Sequence, residues 1–140
     1  MSAYATREVL EEFKSILEAS SLQPSVTINE LKGLSEQTED LFVDISLETV
    51  IFDLTSNALG RKGYYRTCML AIHIGVDCSD DLLRIFDIVD ELETDILHDN
   101  KLWKLVTDRD ISSVAYDHGK TLPNRGATMI VEVKIQISDC

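Results

Sequence analysis

No stretch of this chain reaches the roughly 18 consecutive apolar residues that a membrane-spanning helix needs, so no membrane role is expected. Proline occurs twice and glycine six times in 140 residues, and no Pro-rich or Gly/Ser-rich tract divides the chain. Cysteine is also scarce. Cys68, Cys78 and Cys140 make an odd count without a C-x-x-C pair. That argues against a disulfide framework or a thiolate zinc site and suits a reducing cytosol. The opening MSAYATREVLEEF lacks the basic start and apolar run of a secretory signal. Positive charge is short as well: 13 basic residues face 25 acidic ones, a net charge of −12. Affinity for nucleic acid comes mostly from Lys and Arg displacing counterions on phosphates, so phosphate binding is excluded as the main task.

What is present is an ordinary globular composition, 44% hydrophobic and 27% charged, at a length that suits one core. Val9, Leu10, Phe13, Ile16 and Leu17 recur at helical spacing and predict an amphipathic helix over 5–20, capped by Ser2 or Thr6 and ended before Pro24. Residues 26–29 suit a short strand. The run LFVDISLETVIFDLT, 41–55, alternates in two phases that exchange near Glu48 and Thr49, which predicts a β-bulge. Asn57–Gly63 reads as a hairpin connection into a strand from Tyr64 to Val76.

Ser79 is an N-cap candidate for a second helix whose buried stripe is expected at Leu82, Ile85, Phe86, Val89, Leu92 and Ile96. KLWKLV suits a short turn, 111–116 a strand and TLPNRG another turn. In the closing strand, 128–138, Met129, Val131, Val133, Ile135 and Ile137 should face inward and Glu132, Lys134 and Gln136 outward. The order is α-β-β-β-α-β-β. This describes a single α+β domain over residues 1–140, a mixed or antiparallel sheet with two helices packed on one face.

Sites for chemistry are few. His73, His98 and His118 pair with neither a cysteine nor one another at ligand spacing, so no metal is expected. Cys68 has no base or electropositive neighbour in the sequence to activate it. There is no G-x-S-x-G, no P-loop and no Rossmann glycine pattern. Neither a cofactor nor catalysis is expected.

Charge, by contrast, is unevenly placed. Asp77, Asp80, Asp81, Asp87, Asp90, Glu91, Glu93, Asp95 and Asp99 surround a lone Arg84, and so hold eight of the twelve net negative charges. In NALGRKGYYR, 57–66, Arg61, Lys62 and Arg66 crowd beside Tyr64 and Tyr65. A hairpin tip and a solvated helix face explain both features separately. Together they also suit contact between copies, the basic tip of one meeting the acidic surface of the next, with Tyr and Arg as common interface residues.

The leading helix, the strand YYRTCMLAIHIGVD, the acidic helix SDDLLRIFDIVDELETDIL, then ISSVAYDHG and the closing TMIVEVKIQIS follow one another in a known order. By that order and by length, nearly the whole chain resembles the tail terminator proteins of long, non-contractile-tailed phages, typified by the minor tail protein U of lambdoid phages. The resemblance implies a structural virion protein, assembled in the host cytoplasm. It would form a homo-oligomeric ring, expected to be a hexamer, on the end of the tail tube. Its partners would be the tube protein and a head-completion or connector protein, with DNA passing through the ring without specific binding. Six copies at −12 each would carry a formal −72, which repels phosphate from the lumen. Leu59, Arg61, Lys62, Tyr64 and Arg66 are then the candidate interface residues, with Lys120 and Arg125 of the 119–126 loop as a second docking candidate. A neck or head-completion protein, and a small-molecule-binding α+β domain, stay open as alternatives.

Overall fold

A computed structural model describes residues 5–29, 41–53, 63–77, 83–99, 106, 108–117 and 124–138. They form α1 (Ala5–Glu18), β1 (Ser25–Ile28), β2 (Leu41–Asp53), β3 (Gly63–Asp77), α2 (Arg84–His98), β4 (Asp108–Asp117) and β5 (Asn124–Ser138). The strands build one five-stranded sheet in the order β1-β2-β3-β5-β4. It is mixed: β1 runs parallel to β2, and the other pairs are antiparallel. This is the expected α+β fold in the expected order.

The periodicities explain the elements. On α1, Val9, Phe13, Ile16 and Leu17 are buried one helical turn apart. On the strands, Val43, Ile45, Leu70, Ile72, Ile74, Met129, Val131, Val133 and Ile135 are buried in the same cluster as the apolar stripes of both helices. Both helices therefore cover one face of the sheet. The phase exchange in β2 is a real bulge: Leu47 pairs with Leu70 and Thr49 with Met69, which leaves Glu48 as the extra residue. β4 carries a second irregularity between Ile111 and Ser113 that its short sequence pattern does not announce. At the end of β1, Asn29 takes φ 56°, a left-handed conformation Asn tolerates, and its N–H donates to the Ile45 carbonyl at 2.9 Å. Across the parallel pair, the Thr27 hydroxyl donates to buried Asp44 at 2.6 Å.

Several expectations need correction. Thr6 lies inside the first turn of α1, so it is not the N-cap; its hydroxyl has another use, described below. Helix α1 ends at Glu18, two residues short of the expected end, as the chain turns toward Pro24. Helix α2 is described from Arg84, and its expected cap, Ser79, lies outside the described residues. The capping position is Leu83, which makes no side-chain cap bond, and the Phe86 N–H donates to the Leu83 carbonyl at 3.1 Å in a tight first turn. The buried stripe of α2 is Ile85, Ile88, Val89, Leu92 and Ile96. Phe86, one residue and therefore about 100° round from Ile85, falls outside it. Leu82, Ser79 and the KLWKL segment lie outside the described residues. Strand β5 starts earlier than expected, at Asn124, because Asn124, Arg125 and Gly126 pair with Asp77, Val76 and Gly75.

Candidate interaction surfaces

The strand ladder sets where each candidate residue can act. Tyr64 pairs with Ile137 at one end of the sheet, while Arg125 pairs with Val76 at the other. The two proposed docking groups are thus separated by most of the length of β3. Arg125 is a strand residue and not part of a loop. Leu59, Arg61, Lys62 and Lys120 lie outside the described residues.

Arg66 is half-buried, and its guanidinium engages its own chain. Nη1 donates to the Thr6 hydroxyl at 2.7 Å, and Cζ sits 5.5 Å from the centre of the Phe52 ring, a cation–π distance. One arginine thereby ties the start of α1 to the β2–β3 ribbon. Because β1 pairs only with Phe42–Ile45, the later part of β2 has a strand neighbour on one side among the described residues, namely β3. There Ile51 is 51% and Phe52 59% exposed, with successive side chains on opposite faces of the ribbon.

The other end of β3 leads toward α2, where Arg84 Nη1 donates to the Asp77 carbonyl at 2.9 Å. Leu83 is 65% and Phe86 40% exposed, and Asp87, Asp90 and Glu91 are exposed beside them. The ring of Phe86 lies 4.9 Å from that of Tyr116 on β4, tilted by 45°. Burial raises the Tyr116 pKa above its ordinary value, and the charges of Asp90 and Glu93 push it further the same way. The local field here is negative.

Groups with reactive potential are dispersed. His73 places Nδ1 3.2 Å from the Thr128 hydroxyl on the helix-free face, and His98 Nδ1–H donates to the Thr94 carbonyl at 3.0 Å. Among the described residues no group of three or more His, Cys, Asp or Glu could hold a metal ion. Cys68 is buried, and burial raises its thiol pKa against the opposing influence of Thr6 and Arg66, the reverse of thiolate activation. Open hollows of about 290 Å³ lie among the described residues. One lies between the helices at Ile16, Ser20, Asp95 and His98; another lies on the helix-free face at Thr67, Asp108, Asp110, Glu132 and Lys134. The sequence reading missed buried Arg109, whose guanidinium reaches the end of α2. A lone arginine in the polar stretch TDRD gives no signal of burial.

No family model matches the sequence, and no curated protein matches it. The fold is nevertheless shared with solved structures. A chain from the virion of a native gene transfer agent particle superimposes with a TM-score of 0.60 at 10% identity, over 96% of this chain and 99% of that one. A second match is to the sheath/tube terminator structure of an extracellular contractile injection system, PVC, in its extended state. It has a TM-score of 0.50 at 12% identity and covers 99% of this chain, which spans 58% of that longer one.

Proposed function

We propose that this protein is a tail terminator: a ring-forming structural protein that seats on the end of a phage tail tube, stops its growth and presents the surface joined by the head. The observation that carries this reading is the end-to-end likeness to a chain of a gene transfer agent virion, 96% of one chain against 99% of the other. A second likeness, to a sheath/tube terminator structure, points to the same class of assembly. The physical logic is that of a heterologous polymer. Each tube layer offers a surface to the next, so growth ends when the bound layer lacks that surface. A ring of chains at −12 each would also repel DNA phosphates, as suits a conduit that DNA must leave.

Electron microscopy and light scattering of the purified protein, followed by its addition to polymerising tube protein, test the reading. Closed rings near six chains and tubes of arrested length are expected. A chain that stays solitary at every concentration, with tubes that keep growing in its presence, would overturn it. Binding to a portal or connector ring in place of tube ends would move the assignment to the head-completion alternative.

A further inference from the structure

The two helices cover the sheet unevenly. Helix α1 packs over β1 and β2, and α2 over β3, β5 and β4, the last being the outermost strand of the sheet. On β4, Ile111, Val114 and Tyr116 stand opposite Val131, Met129 and Ala127 of β5 and share the helix-bearing face with them. The three β5 side chains are buried, whereas the three on β4 are only half-buried. A strip of apolar surface therefore runs along β4 beside α2.

Phe86, Asp90 and Glu93 follow at helical spacing and share the flank of α2 that borders this strip. Phe86 lies against Tyr116, and the charges of Asp90 and Glu93 act on the same phenol. The opposite flank carries Glu91, which accepts a hydrogen bond from Ser21 just beyond α1. Helix α2 runs antiparallel to β4: Phe86 near its start meets Tyr116, and Leu97 near its end meets Arg109. Residues 86 and 97 are about 16 Å apart along the helix axis, room for three turns of a helix laid alongside. Charge here is one-sided. Helix α2 and β4 together hold eight acids and two arginines, and both arginines donate to backbone carbonyls of this chain. The strip thus has an apolar centre and an acidic margin, the usual anatomy of a specific contact.

We propose that this strip docks a cationic amphipathic helix of a partner protein, its apolar stripe on Phe86, Val114 and Tyr116 and its lysines or arginines against Asp90 and Glu93. The occupant is a helix because this face already carries a helical layer, to which a third member adds beside α2 at the usual spacing of about 8–10 Å. It is cationic by charge complementarity, which also sets its register. Neither helix of a second copy qualifies. Helix α1 has four glutamates against Arg7 and Lys14, and its apolar stripe is already buried; α2 is more acidic still. The site does not depend on the ring reading, and no tube end enters its test.

Fluorescence anisotropy with the full chain tests the site. The probe is a labelled synthetic peptide of about four helical turns, with leucines at helical spacing on one face and lysines elsewhere. A peptide of the same composition with its leucines scattered is the control. The patterned peptide should bind at least about tenfold more tightly than the control. Phe86→Ala, and separately Asp90→Lys with Glu93→Lys, should each weaken that binding about tenfold while circular dichroism stays native. Asp87→Lys with Glu91→Lys makes the same change of net charge away from the strip, and should weaken it less than about threefold. Equal binding of the two peptides, equal losses from the two charge reversals, or no binding at all overturns the proposal. So does loss of the protein's own assembly in Phe86→Ala, which would make the strip a contact between copies.

Discussion

The guanidinium of buried Arg109, on β4, donates through Nη2 to the carbonyl oxygens of Leu97, at 3.0 Å, and of Asp99, at the end of α2. The last carbonyls of a helix lack intrahelical partners and carry the negative end of its dipole, so a cation placed there satisfies both. Burial lowers the arginine's pKa, and the Asp99 charge opposes that. Arg109→Met should therefore cost about 3 kcal/mol, from lost charged hydrogen bonds and carbonyls left buried. Thermal unfolding should fall by roughly 10 °C. An unchanged midpoint would show that the helix end finds water in its place.

The buried stripe of α2 can be checked by two truncations. Ile88 lies in the core, and Ile88→Ala should cost about 2–4 kcal/mol in denaturant titration. Phe86 touches Tyr116 at the surface, so Phe86→Ala should cost only about 1 kcal/mol. The reverse ranking would put Phe86 in the core, where the bare sequence pattern places it.

Alkaline conditions should destabilise the fold. Cys68 and Tyr116 both have raised pKa values, chiefly through burial. The folded state holds these protons longer than the unfolded chain does. The stabilising contribution is therefore complete below the unfolded values, near 8.5 for a thiol and 10 for a phenol, and is lost as pH rises through the folded ones. Melting temperature should decline above about pH 9, and Cys68→Ala with Tyr116→Phe should flatten that decline. A melting temperature that is level up to pH 10.5 in the unsubstituted protein would contradict the shifts.

Opposite charges between copies would make assembly sensitive to salt. Raising ionic strength from about 0.05 M to 1 M shortens the screening length from over 10 Å to about 3 Å. Sedimentation should then show rings giving way to smaller species. Arg61→Glu with Lys62→Glu should impair ring formation at low salt while circular dichroism stays native. Rings that survive both treatments would remove the basic spur from the contact.

Much of the fold was legible residue by residue. The alternation from Met129 to Ile135 marked a core strand because a strand's side chains change face at every step. The break at Glu48 was visible because a single extra residue inverts that alternation. The start of α2 was less legible, because Leu83 at its first turn carries no capping signal. Of the candidate site residues, Arg66 looked like free positive charge, yet its guanidinium is shared with Thr6 and Phe52, sixty and fourteen positions away in the chain.

Composition and periodicity were sufficient to determine an acidic chain of α+β fold, its element order and its apolar faces, since these follow from local preferences and from which side chains avoid water. Only the tertiary structure decided that Phe86 lies exposed against Tyr116, that Arg125 is a strand residue remote from Tyr64, and that Arg109 closes α2. Those are relations between distant segments, set by strand register and helix placement, and no local pattern encodes a distance across the sheet.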